Sequence, residues 1–143
     1  MKISDVLRSK GSGVITVRPD ETVVSLLALL DENRIGAVVV SSDGVTIDGI
    51  VSERDIVRHL HTDGTDILPG PVSAIMTTEV TTGTHDEDVE QLAGKMTDQR
   101  VRHVPVVDED GKLIAIVSIG DVVKSRLNEL QSERDQLRDY ITR

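Results

Sequence analysis

The chain has no cysteine, phenylalanine or tryptophan, and Tyr140 is its only aromatic residue. Without cysteine, the chain can form no disulfide, no zinc site built on thiolates and no cysteine nucleophile. Without aromatic platforms, single-stranded nucleic acid has nothing to stack on, and a bound base must lie between aliphatic groups. The net charge of −9 also argues against general nucleic-acid binding, which needs a basic surface to neutralise phosphates.

Long apolar runs are missing as well. No stretch of the sequence approaches the roughly 18 apolar residues of a membrane span. The residues after Ser4 do not form the apolar core of a secretory signal either. We therefore expect a cytoplasmic protein with no membrane contact. The 143 residues suffice for one compact domain with a workable core.

What the sequence does contain is an internal duplication. The stretch around Ser52 reads GIVSERDIV, and it returns 66 residues later as AIVSIGDVV. At the same offset, VITVRPDETV becomes VTTGTHDEDV, and RIGAVVV becomes RVRHVPV. We therefore predict repeat 1 at residues 1–66, repeat 2 at 67–126 and a C-terminal helical extension at 127–143. Each repeat alone would be marginally stable, so the two should share one interface and form one compact module.

Each repeat predicts the order strand, helix, strand, strand, helix. Thr22 and Asp88 are suitable helix N-caps, and the apolar residues after them recur at helical spacing. These residues are Val23, Leu26, Leu27 and Leu30 in repeat 1, and Val89, Leu92, Ala93 and Met96 in repeat 2. Strands are predicted at 14–17, 37–41, 47–51, 103–107 and 113–117, a linker at 59–71, and amphipathic lead-in segments at 3–7 and 72–76. The fold class is therefore mixed, α/β (α+β), with helices covering each sheet.

The pairs Ser52 with Asp55, and Ser118 with Asp121, stand where an apolar strand passes into a helix. Two interpretations fit this Ser-x-x-Asp motif. In a capping box, the serine caps the helix and the aspartate accepts a hydrogen bond from the cap N–H. Alternatively, the hydroxyl, the carboxylate and the free N–H groups of the helix start bind an anion or a hydroxyl-rich ligand. Capping is the commoner use of one such motif taken alone.

Together these features resemble the CBS-domain family, specifically a tandem CBS pair, over residues 3 to about 126. The resemblance is carried by the Ser-x-x-Asp motif in both halves, by RHVPVV from Arg102 and by ITVRPDETV from Ile15. It implies two pseudo-symmetric repeats packed sheet to sheet. It also implies a regulatory sensor without catalytic activity, which binds an adenosine nucleotide (AMP, ADP, ATP or NAD) in the cleft between the repeats. The alternative is a ligand-free dimerisation scaffold for an unidentified partner protein.

The resemblance also implies which residues contact the ligand. Asp55 and Asp121 suit a ribose diol, because an ionised carboxylate only accepts hydrogen bonds. Arg102 and His103 are expected to contact phosphate, so the site around Ser118 and Asp121 should be the better phosphate site. The alternative is that Arg102 is a solvated charge and His103 a structural histidine. The other residues expected at the two sites are Ser52, Arg54, Pro105, Gly120, Ile15, Thr16, Val17, Thr81 and Thr82.

Three of these residues carry an argument of their own. Arg54 could reach a phosphate across the cleft or pair with a neighbouring carboxylate. Gly120 removes a side chain where a ligand could approach the backbone. Pro105 lacks the N–H of a central strand residue, which indicates a sheet edge or a bend that faces the ligand.

The segment from Ile119 to Ile141 predicts one long helix with an apolar seam. The seam residues recur at alternating steps of four and three, interrupted by Arg134: Val123, Leu127, Leu130, Leu137 and Ile141. Such a helix spans ~30 Å or more, which is too long for one small domain to cover. We therefore expect a homodimer in which this helix contributes to the subunit contact. The alternative is a solvated extension that packs only on its own core.

Overall fold

A computed structural model describes residues 1–11 and 13–142. Ser12 and Arg143, the last residue of the predicted extension, lie outside the described residues. The helices and strands, in chain order, are α1 (Ile3–Lys10), β1 (Thr16–Val17), α2 (Val23–Asn33), β2 (Ala37–Val40), β3 (Gly49–Ser52), α3 (Glu53–Asp63), β4 (Gly83–Thr84), α4 (Val89–Gln99), β5 (His103–Val107), β6 (Leu113–Ser118) and α5 (Ile119–Thr142). Short 3₁₀ turns at Gly64–Ile67 and Val72–Ala74 join the halves. No helix in the described ranges is long and apolar enough to cross a membrane.

The two halves form separate three-stranded sheets with the same topology. The orders are β1-β2-β3 and β4-β5-β6, each with one parallel and one antiparallel pair. Even the register repeats: Ala37 lies opposite Ser52, and His103 lies opposite Ser118. The duplicated unit and the mixed fold class predicted from the sequence are confirmed.

The helices cover one face of each sheet, as their apolar spacing predicts. Val23, Leu26 and Leu30 of α2 are buried with Val38 and Val40 of β2. The equivalent residues of repeat 2 form a second cluster: Val89, Leu92, Met96, Val104 and Val106. Side chains alternate between the faces of a strand, so Val39 and Pro105 point away from these clusters. Both are nevertheless buried, so the central strands are covered on their two faces.

Both helix ends that precede a central strand are built alike. α2 ends at Arg34 and α4 ends at Arg100, and both arginines adopt the left-handed conformation, with φ of 52° and 55°. The next residue, Ile35 or Val101, donates its N–H to a carbonyl of the last helical turn at 3.1 or 3.0 Å. This is a Schellman ending, in which glycine is the usual residue at the left-handed position.

Several details differ from the sequence predictions. The strand predicted at 47–51 begins at Gly49. The linker expected from His59 begins later, because α3 continues to Asp63 and ends at Gly64, where φ is 73°. Only Thr16 and Val17 of the predicted first strand pair with β2. Leu27 is 38% exposed instead of lying in the core. Pro105 lies in β5, the middle strand of its sheet, and not in an edge strand; the alternative, a bend that faces the ligand, stays a prediction. The parallel strand β4 pairs only from Val106 onward, which leaves Pro105 flanked by β6 alone.

Each lead-in segment packs on the other half of the chain. Ile3 and Val6 of α1 are buried in the core of repeat 2, and the Ile3 N–H donates to the Glu87 carbonyl at 2.9 Å. Conversely, Val72 and Ile75 are buried in the core of repeat 1. Because each repeat completes the core of the other, the two repeats form one body.

Candidate functional site

The first Ser-x-x-Asp motif is a fully satisfied helix cap. Asp55 is only 6% exposed. Its Oδ2 accepts hydrogen bonds from the Ser52 N–H at 2.9 Å and the Ser52 hydroxyl at 3.1 Å. Its Oδ1 accepts from Arg58 at 2.8 Å and from the Thr77 hydroxyl at 3.2 Å. Since a carboxylate has about four acceptor positions, Asp55 has little capacity left for a ribose diol in this conformation.

The second motif is also a capping box, but its carboxylate is less occupied. The Asp121 Oδ2 accepts from the Ser118 N–H at 2.9 Å and from Lys10 Nζ at 2.7 Å. Among the described residues, no donor contacts Asp121 Oδ1, and the side chain is 23% exposed. Partial burial acts to raise the pKa of Asp121, but the hydrogen bonds from Lys10 and Ser118 outweigh it and lower the pKa. Asp121 is therefore an ionised carboxylate with one oxygen open to a donor.

Lys10 was not predicted as a site residue. It ends α1, the lead-in segment of repeat 1, and it reaches Asp121 because that segment packs on repeat 2. Its ammonium also donates to the Ile116 carbonyl. At the offset of 66 that relates the motifs, Lys10 corresponds to Met76, an uncharged residue next to Thr77, so the repeat pattern does not indicate a cation at this position. No local sequence signal therefore indicated its role.

A cleft of about 1170 Å³ lies between the repeats. This volume slightly exceeds the usual range of small-molecule sites, roughly 300–1,000 Å³. Residues from both halves line it, and six of them were predicted as ligand-binding residues: Ser52, Arg54, Asp55, Thr81, Arg102 and His103. The structure thus places Arg102 and His103 in one cleft with the first motif, although they were expected to act with the second.

The other predicted site residues do not line this cleft. Ser118 and Asp121 adjoin it, since Ser118 is the ladder partner of His103 and the next residue, Ile119, lines the cleft. Val17 belongs to the core of repeat 1, and the Thr82 carbonyl accepts a hydrogen bond from Lys95 at 3.0 Å. A Cβ atom added at Gly120 would meet only Ser118 Oγ at 3.5 Å, so the fold itself does not require glycine there. Ile15, Thr16 and Pro105 are also outside the cleft, and their ligand roles stay predictions.

Four arginines and three carboxylates line the cleft of this acidic protein: Arg54, Arg58, Arg100 and Arg102 with Glu53, Asp55 and Glu79. Arg54, Arg100 and Arg102 line it, and within the described ranges none of them forms an ion pair. Arg100 holds the left-handed position described above, which costs a residue with a side chain roughly 1–2 kcal/mol. A cation at a helix C-terminus recovers only about 0.3–1 kcal/mol of this cost. Helix capping alone therefore does not explain why an arginine stands there.

His103 lies at the junction of the cleft and the second motif. Partial burial lowers the pKa of His103, and the positive charge of Lys10 lowers it further, whereas Glu53 and Asp121 act in the opposite direction. The ring also lies close to repeat 1, because a Cβ atom added at Gly36 would be 3.6 Å from His103 Cε1. His103 is thus a predominantly neutral donor or acceptor near pH 7, and an approaching anion would favour its protonation.

Comparison with known proteins identifies the family. The CBS domain model matches residues 3–62 and 72–128. The mitochondrial CBS domain-containing protein CBSX3 of Arabidopsis thaliana is 35% identical, over 97% of this chain and 71% of its own length. A crystal structure of a CBS-domain containing protein from Agrobacterium tumefaciens is 42% identical with a TM-score of 0.83, and the match covers 88% of this chain and 99% of that one.

A second solved structure, of a CBS domain protein from Pyrobaculum aerophilum complexed with AMP, is 30% identical with a TM-score of 0.74. The match covers 85% of this chain and 89% of that one. The duplicated motif, the paired three-stranded sheets and these matches agree. The chain belongs to the CBS-domain family, and its two halves are a tandem pair of CBS repeats.

Proposed function

We propose that this protein is a regulatory module that binds an adenosine nucleotide (AMP, ADP, ATP or NAD) between its two CBS repeats. The observation that carries the proposal is the inter-repeat cleft, which three arginines without ion pairs line in a chain of net charge −9. Such a cluster favours an anionic ligand, and a guanidinium matches a phosphate with two parallel donors. The AMP complex of the Pyrobaculum aerophilum relative supports the same ligand class.

We infer that the ribose binds Asp121 in preference to Asp55. A ribose diol needs acceptor oxygens, and only Asp121 has an oxygen without a donor among the described residues. His103 links this carboxylate to the cleft, because it lines the cleft and pairs with Ser118. This arrangement supports the expectation that the second motif provides the better phosphate site.

The proposed output is regulation of another protein, with ligand occupancy as the signal. We propose further that the module is a homodimer held partly by α5. Most of the seam is uncovered by its own core: Leu127, Leu130, Leu137 and Ile141 are 55%, 47%, 63% and 78% exposed. Burying each of these side chains would contribute roughly 1.5–3 kcal/mol. A cytoplasmic location stays a prediction, since one relative is a mitochondrial protein.

Thermal unfolding with a nucleotide panel tests the proposed ligand class. A ligand at 100 times its Kd stabilises the folded state by about 2.7 kcal/mol, which raises Tm by roughly 5–10 °C for a domain of this size. Asp121→Ala should abolish this rise, whereas Asp20→Ala, at an exposed carboxylate, should leave it unchanged. If the panel leaves Tm unchanged and mass spectrometry finds no ligand released from the purified protein, the scaffold alternative is correct.

A further inference from the structure

The two Ser-x-x-Asp motifs are held by different kinds of donor. In repeat 1 the crossing segment, residues 72–77, which packs on this repeat from the second half of the chain, is fixed by its backbone, because the Thr77 N–H donates to the Ile50 carbonyl at 2.8 Å. The hydroxyl of the same residue donates to Asp55. Thr77 thus donates to both a strand carbonyl and the motif carboxylate. It cannot move away from Asp55 without breaking its backbone hydrogen bond to the strand.

In repeat 2 a flexible side chain makes both equivalent contacts. Ile116 and Asp121 correspond to Ile50 and Asp55, 66 residues earlier, and Lys10 Nζ donates to both of them. A lysine ammonium can leave these acceptors by rotation of its side chain, with no backbone change. The donor that links the strand carbonyl to the motif carboxylate can therefore be displaced by a ligand in the second motif, whereas Thr77 cannot be displaced in this way in the first motif, where Arg58 is the mobile donor.

We propose that Lys10 determines the specificity of the second motif by selecting nucleosides that carry a phosphate. The inference rests on the proposed nucleotide-binding function. One hydroxyl of a ribose diol donates to the open Oδ1 of Asp121, and the second competes with the Lys10 ammonium at Oδ2. The displaced ammonium then needs another anion. A 5′-phosphate on the same ligand supplies that anion, whereas an unphosphorylated nucleoside supplies none.

The surroundings of Lys10 make this requirement strict. The Lys10 side chain is only 34% exposed, so water compensates incompletely for the loss of its carboxylate partner. Arg102 and the largely neutral His103 lie in the same region. The Arg102 charge repels a released cation, and the Glu53 carboxylate near His103 offsets part of this repulsion. A phosphate would gain from all three groups. Adenosine would displace Lys10 without offering it a partner.

Calorimetric titration of the full chain with AMP and with adenosine tests this inference through the ratio of the two affinities. The wild type should bind AMP at least about tenfold more tightly than adenosine, because a hydrogen bond to a charged group is lost with the phosphate. In Lys10→Met the ratio should fall by about tenfold, with adenosine binding more tightly than it does to the wild type. Lys10→Arg should retain the preference, and Arg8→Met, which removes a charge from the same helix, should not change it.

A double-mutant cycle assigns the effect to the second motif. In an Asp121→Asn background, Lys10→Met should no longer tighten adenosine binding, because the ion pair that adenosine must break no longer exists. An unchanged ratio in Lys10→Met alone, or equal losses for AMP and adenosine, would overturn the inference. If the wild type binds neither ligand, the proposed function itself fails, which is a different outcome. Circular dichroism of each variant verifies that the fold is intact.

Discussion

The close approach between Gly49 and the crossing segment gives the sharpest structural prediction. A Cβ atom added at Gly49 would lie 2.8 Å from Met76 Sδ and 2.8 Å from the Thr77 carbonyl oxygen. The equivalent residue in repeat 2 is Ala115. A Cβ atom is accommodated there, since Lys10 reaches that strand through its side chain and not through its backbone. Gly49→Ala should therefore disturb the backbone pairing of Thr77, although alanine is the residue that repeat 2 has at the equivalent position.

The magnitude follows from the contact with backbone atoms. Forcing one extra carbon into a packed site costs about 1–3 kcal/mol, which corresponds to a fall in Tm of roughly 3–10 °C for a chain of this length. Gly94→Ala is the matched control, because a Cβ atom there would meet nothing within 4 Å on an exposed position of α4. That substitution should stabilise the protein by up to about 1 kcal/mol. A Gly49→Ala protein that melts at or above the wild-type temperature would refute the argument.

Three further predictions use thermal or chemical unfolding and light scattering. Because the pKa of His103 is lowered in the folded state, the unfolded chain binds the proton first as pH falls through about 6.5. The free energy of unfolding should therefore decline below this pH, and that of the His103→Gln protein should decline less between pH 7 and 5. Arg100→Gly should raise the free energy of unfolding by up to ~1 kcal/mol, because the relief of backbone strain exceeds the entropy cost of glycine. The same substitution should weaken AMP binding. A lower stability would contradict the strain argument. A truncation ending at Ser125 should shift the mass measured by light scattering from dimer to monomer, and an equally stable dimer would remove α5 from the interface.

Much of the fold could be predicted from the duplication. Helix starts were predicted at Thr22 and Asp88, and both residues precede a helix in the structure. The Thr22 hydroxyl accepts the Ser25 N–H at 3.1 Å, as an N-cap should. Local patterns succeed here because capping and burial on one helix face act within a few residues. Leu27 shows the limit, since its spacing fits the apolar stripe but its side chain is partly exposed at the edge of the sheet-covering face.

The candidate site was predicted less completely, because its geometry depends on contacts between the halves. Each aspartate was correctly identified as part of a capping motif, but the pattern could not distinguish the saturated Asp55 from the partly open Asp121. Their difference comes from Thr77 and Lys10, which lie far away in the sequence and arrive through the crossed lead-in segments. Arg102 was expected beside the second motif, and its carbonyl accepts the Ile119 N–H at 2.8 Å. It also lines a cleft with the first motif, because the neighbouring repeat forms the other wall.

Calorimetric titration of the intact chain with AMP is the most direct test of the proposal that this CBS pair senses adenosine nucleotides. The account predicts saturable binding that Asp121→Asn weakens by about tenfold or more, since the diol loses an ionised acceptor. Asp20→Asn should bind like the wild type. Folded protein that gives no saturable heat with AMP, ADP, ATP or NAD would contradict the account, as would full affinity in Asp121→Asn.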